Sequence, residues 1–121
     1  MSERVGFIEH KGKLILSVDF SSLDRDEDKI FVIRNTQRVV QAQPLKSVLI
    51  LAHLTDVHFS TDVVRHFIEV IKSDVPFVAA TAIVGGTKLQ NAVIKAISTI
   101  ARRELVTFES REEAMDWLVQ R

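Results

Sequence analysis

Hydrophobic positions near the start of the chain recur with a period of two. From Leu14 to Phe20, one set of alternate positions is entirely apolar, a pattern typical of a strand. This set is Leu14, Leu16, Val18 and Phe20, and the positions between are Ile15, Ser17 and Asp19. Val5 to Ile8 is also rich in strand-forming residues. Between the two segments lies a polar stretch that contains Gly12, a residue able to adopt positive φ. The pattern therefore predicts a β-hairpin at the start of the chain.

Two later segments are apolar without alternation. Ser47 to Ala52 and the run from Phe77 to Val84 are short and hydrophobic on both faces. Such runs are typical of central parallel strands, which are covered on both sides. Pro76 stands at the permitted first position of the second run. We expect Val48–Ala52 and Phe77–Val84 to be interior strands, and Leu105–Phe108 to be a short final strand.

Helical periodicity separates these strands. Acidic residues after Asp24 favour the first turn of a helix from Arg25 to Ala42, and Pro44 follows its end. Ser60 or Thr61 is the expected N-cap of a second helix. The apolar face of this second helix has i, i+3, i+4, i+7 spacing and consists of Val64, Phe67, Ile68 and Ile71.

A third helix is predicted after Gly85-Gly86, with Arg102 and Arg103 in its last turn, where positive charge is favourable. Its apolar face consists of Leu89, Val93, Ala96, Ile97 and Ile100. Ser110 and Glu113 have the spacing of a capping box and predict the start of a fourth helix. Ala114, Trp117 and Leu118 form the expected inward face of that helix.

The predicted order of elements is β-β-α-β-α-β-α-β-α. Helices that alternate with buried strands indicate an α/β fold, here a mixed five-stranded sheet with four helices. No linker rich in Gly, Ser or Pro divides the chain, so residues 1–121 are expected to form a single domain. Right-handed crossovers would place the loops His53–Ser60 and Gly85–Lys88 at the carboxyl ends of parallel strands, where ligands bind in such sheets.

Charge and composition narrow the classes of function. The chain has 16 Lys and Arg against 16 Asp and Glu, so nucleic acid is not an expected partner. Cysteine is absent, which fits a reducing cytoplasm. The first residues, Met1–Arg4, are not followed by the long apolar stretch of a signal peptide. No apolar run approaches the ~20 residues that a membrane helix needs. A cytoplasmic protein without a transmembrane segment is therefore expected.

Several segments together resemble the STAS domain, the fold of the sporulation anti-sigma-factor antagonist SpoIIAA. They cover nearly the whole chain and include motifs similar to those of the small bacterial SpoIIAA-like group. This group is often compared with CRAL-TRIO lipid-binding proteins. The matching segments are Gly12–Leu16, Val18–Leu23, Val48–Leu51, Leu54–Phe59, Ala80–Gly85 and Phe108–Leu118. The resemblance implies a STAS-like domain that docks a protein partner or binds a small molecule.

One motif departs from the pattern that the resemblance implies. Phosphorylated antagonists of this kind carry Asp-Ser-(Ser/Ala)-Gly where the second helix begins. Here that region reads Phe59-Ser60-Thr61-Asp62-Val63, without the aspartate before the serine and without the glycine. We therefore expect Ser60 and Thr61 to act at a helix N-terminus, and we do not expect either to be a phosphorylation switch.

Two surfaces are candidate sites. The first is a partner-docking loop at the start of the second helix, formed by His58, Ser60, Thr61 and Asp62. The second is an anion site at the start of the third helix, formed by Gly85, Gly86, Thr87 and Lys88. Unpaired amides at a helix N-terminus attract anions, although an ordinary turn and N-cap explain both segments as well.

Other residues point to no catalytic or metal centre. His10, His53, His58 and His66 lack the spacing of a zinc motif, with His66 placed on the outer side of its helix, and no metal or other cofactor is expected. Asp19 has no second carboxylate placed to form an acid–base pair. The first helix has more apolar residues than one narrow stripe needs, and these could form extra core, a groove for a lipid-like ligand or a homodimer surface. These residues are Phe31, Val32, Val39 and Val40.

Two hypotheses for function follow. The first is a non-enzymatic regulatory domain that docks a protein partner around His58–Val63. The second is a carrier that binds a small apolar or anionic molecule between the first helix and the sheet. An enzyme is the third and weakest hypothesis, because no nucleophile or acid–base pair is recognisable.

Overall fold

The computed structural model of the protein describes residues 4–121 and confirms the predicted order of strands and helices. Most boundaries lie within two residues of those expected from the sequence. The elements are β1 Val5–His10, β2 Lys13–Asp19, α1 Asp26–Gln41, β3 Val48–His53, α2 Thr61–Asp74, β4 Val78–Val84, α3 Lys88–Ala101, β5 Val106–Phe108 and α4 Arg111–Leu118.

The strands form one mixed sheet in the order β1-β2-β3-β4-β5. β1 and β2 are antiparallel and pair from Val5 opposite Val18 to His10 opposite Lys13. The remaining neighbours are parallel, so β3 and β4 are interior strands as predicted. The hairpin turn contains Gly12 at φ +84°, a conformation that glycine adopts without strain.

Two hydrophobic cores lie on opposite faces of the sheet. The helices α1, α2 and α3 cover one face, where residues such as Leu16 and Val18 of β2 are buried. The helix α4 covers the other face, where Ile15, Ala114 and Leu118 are fully buried. Sequential right-handed crossovers between neighbouring parallel strands place all three connecting helices on one side. Only the C-terminal helix remains to cover the opposite side.

The third helix ends earlier than the sequence suggests. Arg102 adopts the left-handed conformation at φ +54° and caps the helix after Ala101. The amide of Arg103 then bonds to the carbonyl of Ser98, as in a helix-terminating turn. The expectation that Arg102 and Arg103 occupy the last helical turn is therefore wrong. The cap redirects the chain and turns Arg103 back towards β4.

Among the helices within residues 4–121, none combines the length and hydrophobicity needed to cross a bilayer.

Candidate functional site

A cavity of about 90 Å³, partly open to solvent, lies between the sheet and the layer formed by α1, α2 and α3. Its walls are almost entirely apolar. The residues nearest to it on the strands and the loops after them include Val18, Phe20, Ile50, Ala52, Leu54, Phe59, Val78 and Ile83. From the helices and the segment after α3 it is lined by Ile33, Phe67, Val70, Ile71, Ile94, Ile97 and Leu105.

Aromatic rings form the wall of the cavity near the carboxyl ends of the strands. The ring of Phe67 on α2 lies 5.2 Å from that of Phe20 and 5.3 Å from that of Phe59, measured between centroids. The second pair is edge-to-face, an arrangement that aromatic rings favour. Phe20 follows β2 and Phe59 precedes α2, so this wall joins two loops to a helix.

Asp74 introduces a carboxyl group at the opposite end of the cavity. It is the last residue of α2, and only 4% of it is exposed. Burial raises its pKa to about 6, against the opposing effect of hydrogen bonds from Gln41 and Ser73. Gln41 Nε2 donates to Asp74 Oδ1 at 3.2 Å, which links α1 to the end of α2. The cavity therefore has an ionisable group whose pKa is raised by burial.

Arg103 is the second charged residue that lines the cavity. Its Nη1 donates to the carbonyl of Val78 at 2.9 Å, and its Nη2 donates to Thr81 Oγ1 at 3.4 Å. Burial lowers the pKa of its guanidinium, although the charge on Glu104 opposes that shift. Both charged groups thus lie near the amino end of β4, and the aromatic wall lies at the other end.

Apolar residues that are at least partly exposed lie along α2 and α3, and one of them, Ile71, also lines the cavity. On α2 they follow i, i+4, i+7, i+11 spacing, on the side away from the α1 contacts of His66, Glu69 and Ser73. They are Val64, Ile68, Ile71 and Val75. A stripe of the same spacing on α3 consists of Leu89, Val93, Ala96 and Ile100. Consecutive crossovers have the same hand, so α2 and α3 pack on the sheet in the same orientation. We therefore infer that the α2 stripe and the α3 stripe lie on the two sides of the groove between these helices.

The position of this cavity differs from the ligand position that the carrier hypothesis expects, which no contact in residues 4–121 tests. The carrier hypothesis places a ligand between the first helix and the sheet, whereas most of the helical lining comes from α2 and α3. Val32 and Val40 of α1 are instead buried core residues, and Val39 packs against that core. Phe31 points to solvent and is 64% exposed. From α1, only Ile33 and Thr36 line the cavity.

The loop before α2 is held by side chains from α1. Ser60 is the N-cap of α2, and its hydroxyl accepts from the amide of Val63, as predicted for an N-cap. The same hydroxyl donates to Asp26 Oδ2 at 2.7 Å. The buried Lys29 donates through Nζ to the carbonyl of His58 at 2.7 Å and lies 3.6 Å from Asp26 Oδ1. This network occupies the Ser60 hydroxyl and anchors the loop.

The other three predicted docking residues, His58, Thr61 and Asp62, are exposed. Asp62 forms a surface ion pair with Arg65 at 3.1 Å. No contact in residues 4–121 tests whether a partner binds here, so docking at this surface stays a prediction.

The second predicted surface begins with a tight turn after β4. Gly85 has φ +89°, and Thr55 lies where a side chain at this position would project. Thr87 caps α3, and Gln90 completes the capping box. Gln90 Nε2 also donates to the carbonyl of Val57, which joins this turn to the loop before α2.

The two predicted loops therefore meet at one edge of the sheet, as the crossover rule predicts. Side chains satisfy some of the amides at both helix starts, namely those of Val63, Thr87 and Gln90. Gly86 and Lys88 lie beside these caps, and Lys88 is exposed. Binding of an anion at Gly85–Lys88 stays a prediction.

The histidines have separate environments. His10 bonds to Asp116 at 2.8 Å and so links the hairpin to α4. His66 contacts Arg34 of α1 at 2.9 Å, so the expectation that it lies on the outer side of its helix is wrong. His53 ends β3, and burial lowers its pKa. Within residues 4–121, no three His, Asp or Glu side chains converge at a spacing suited to a metal ion.

Asp19 is part of a hydrogen-bonded turn after β2. Burial opposes its ionisation, but hydrogen bonds from the hydroxyl and amide of Ser21 lower its pKa, aided by the positive charge of Arg4. The contacts of Asp19 therefore give it a structural role at the end of the strand.

Asp74 and Arg103 are cavity residues that the sequence pattern did not single out. Each stands near a helix end, where a charged residue has an ordinary explanation. The one available signal was the position of Asp74 on the otherwise apolar side of α2, in line with Val63, Phe67 and Val70.

Comparison with known proteins identifies the fold. The structure is similar to a crystal structure from Shewanella loihica PV-4, that of an uncharacterised protein of the DUF3478 family with a SpoIIAA-like fold. The TM-score is 0.69 at 17% sequence identity, over 94% of this chain and 91% of the other. The protein therefore has a SpoIIAA-like, STAS-type α/β fold, as the resemblance in sequence implies. No family model matches the chain, and no curated protein matches it significantly.

Proposed function

We propose that this protein is a non-catalytic binding domain that holds a small apolar molecule between the sheet and α2 and α3. The observation that supports this proposal is the apolar cavity of about 90 Å³. Apolar space that no side chain fills lowers stability, because the atoms that line it lose packing contacts. Natural cores contain few voids of this kind, so binding of a ligand is a physical reason to keep one.

Apolar probes test this proposal directly. We expect benzene and 1-hexanol to shift the methyl NMR signals of Ile33, Ile94 and Ile97, which line the cavity. Ile15 lies in the core on the other side of the sheet and is an internal control. Native mass spectrometry of freshly purified protein should also detect any molecule retained from the cell. Shifts that are absent at millimolar probe, or equal at Ile15, would contradict the proposal.

A cavity-filling variant provides a second test. Ala52 lines the cavity, so Ala52→Leu should occupy part of the space and weaken the binding of both probes several-fold. Ala79→Leu introduces the same side chain at an exposed position on β4 and should bind both probes as the wild type does. Equal binding by both variants would place the probes elsewhere.

A second candidate function is docking of a regulatory protein partner at the loop before α2. It is supported by the exposure of His58, Thr61 and Asp62 on a backbone held by the buried Lys29. A rigid exposed surface loses little entropy when it binds. In affinity capture from the native host, Asp62→Arg should reduce the capture of such a partner, whereas Ala52→Leu should not. Equal capture by the wild type, Asp62→Arg and Ala52→Leu would argue against docking at this surface.

A further inference from the structure

The guanidinium of Arg103 has more hydrogen-bond donors than its neighbours use. Arginine carries five N–H donors, and the contacts within residues 4–121 account for two, to the Val78 carbonyl and the Thr81 hydroxyl. Both acceptors are neutral. Arg103 is partly buried and lines the cavity, so the unused donors are available to a group inside it.

No carboxylate in the described chain pairs with this cation. The ion pairs formed by residues 4–121 include neither Arg103 nor Asp74, so the two cavity residues are more than 4.0 Å apart at their charged atoms. The charge of Glu104 acts on Arg103, but Glu104 is exposed and does not line the cavity. A partly buried cation without a paired anion gains stability when an anion reaches it.

We propose that the cavity selects a small apolar carboxylate, whose carboxylate group binds the Arg103 guanidinium while its hydrocarbon part lies between the sheet, α2 and α3. This inference rests on the proposed function and names the class of ligand. The planar guanidinium matches a carboxylate with two parallel hydrogen bonds. Asp74 lines the same end of the cavity, and its negative charge disfavours a second anionic group, so the ligand carries one carboxylate and directs it towards Arg103.

The size of the cavity limits the hydrocarbon part. An enclosed apolar cavity of about 150 Å³ holds one benzene molecule. The cavity of about 90 Å³ is smaller but partly open, so benzene fits only if part of it extends out of the cavity, and a long acyl chain does not fit inside. A short chain fits if part of it extends into the groove flanked by Ile71 on α2 and Val93 on α3. Hexanoate and its uncharged analogue 1-hexanol are therefore suitable probes.

The test compares these two probes in the wild type, Arg103→Gln and Arg102→Gln by NMR titration. We expect Arg103→Gln to weaken hexanoate binding about tenfold, the usual effect of losing hydrogen bonds to a charged group, and to leave 1-hexanol binding unchanged. Arg102 is exposed and adjacent, so Arg102→Gln is the matched control and should bind both probes as the wild type does. Unchanged hexanoate binding in Arg103→Gln, or equal weakening in Arg102→Gln, would overturn the inference.

The unchanged 1-hexanol affinity shows that the cavity of the variant is intact. If Arg103→Gln does not fold, Arg103→Lys replaces it, because lysine keeps the charge and loses the planar fork. Weaker hexanoate binding by Arg103→Lys with unchanged 1-hexanol binding then supports the inference, and unchanged binding of both probes overturns it. If the wild type binds 1-hexanol but hexanoate binding does not depend on Arg103, only this inference fails. If the wild type binds neither probe, the proposed function fails too.

Discussion

Asp74 makes the stability of the protein depend on pH. Its pKa is about 6 in the folded state against 3.8 for the free side chain, so the folded state binds the proton more tightly. The contribution of this group to the free energy of unfolding is therefore most favourable below about pH 4. This contribution falls as the pH rises through about 6 and is constant once the carboxyl group is fully ionised. At neutral pH the buried charge lowers stability by on the order of 3 kcal/mol.

Asp74→Asn should remove this dependence. We expect the variant to be more stable than the wild type at pH 7.5 and to lose the advantage by pH 4, because asparagine cannot ionise. Chemical denaturation at several pH values measures the difference between the two proteins. Asp24→Asn, at an exposed position, should leave the pH profile unchanged. Parallel profiles for the wild type and Asp74→Asn would contradict the assignment.

Ser60 contributes to stability through both of its hydrogen bonds. Ser60→Ala removes the N-cap bond to the Val63 amide and leaves Asp26 Oδ2 without the Ser60 hydroxyl. A loss of about 1–2 kcal/mol in the free energy of unfolding is expected. Thr61 is exposed, so Thr61→Ala should change it by less than about 0.5 kcal/mol. Urea denaturation of the two variants is the measurement, and equal losses would show that Ser60 is not the cap.

The hydrogen bond to Asp26 also bears on phosphorylation. A phosphate on Ser60 would bring a charge near −2 next to the Asp26 carboxylate and displace the cap. Together with the absence of the Asp-Ser-x-Gly pattern, this favours an unmodified serine. We expect phosphopeptide mapping from the native host to find neither Ser60 nor Thr61 modified in most molecules. Predominant modification at either residue would establish a switch.

At the scale of elements, the turn between β4 and α3 depends on Gly85. Gly85→Ala would adopt an unfavourable positive φ and would also collide with Thr55, including its backbone. Gly12 has a similar φ in the hairpin but open space around it, so Gly12→Ala measures the cost of the positive φ without a steric clash. We expect Gly12→Ala to cost about 1–2 kcal/mol and Gly85→Ala to cost clearly more. Thermal denaturation compares them, and equal losses would mean that the turn relaxes to admit a side chain.

Helix ends show where prediction from the sequence succeeds and fails at this scale. The starts of α2, α3 and α4 were recognisable, because a capping side chain contacts the backbone only three residues away. The end of α3 is not recognisable in this way. Arg102 is a non-glycine residue in the left-handed region, so it carries no sequence signature of a C-cap. This helix end affects the site, since Arg103 lines the cavity only because the helix stops before it.

At the scale of the whole molecule, the two cores should unfold together. β3 and β4 contribute side chains to both cores, so neither can lose its packing without exposing the other. Trp117, the one tryptophan in the sequence, packs against Phe108 at 5.5 Å on the α4 side, whereas most helical residues lie on the other side. Denaturation followed by Trp117 fluorescence and by far-UV circular dichroism should therefore coincide. Separate midpoints would show that α4 detaches independently.

The sequence by itself determined the class of fold, the order of elements and the identity of the interior strands. These features depend on periodicity and on short-range capping, which are recorded in neighbouring residues. It also placed the loops at Ser60 and Gly85 at one edge of the sheet, since crossovers have a fixed hand.

Only the tertiary structure decided where the apolar cavity lies. The cavity exists because α2 and α3 leave space above the sheet, and no local pattern specifies the spacing between two helices. Asp74, Thr81 and Arg103 lie on three different segments, and packing alone brings them to one end of the cavity. The carrier hypothesis expects the ligand beside α1, but Val32 and Val40 of α1 are buried in the core. Side-chain volume and helix position together determine whether an apolar surface becomes core or cavity.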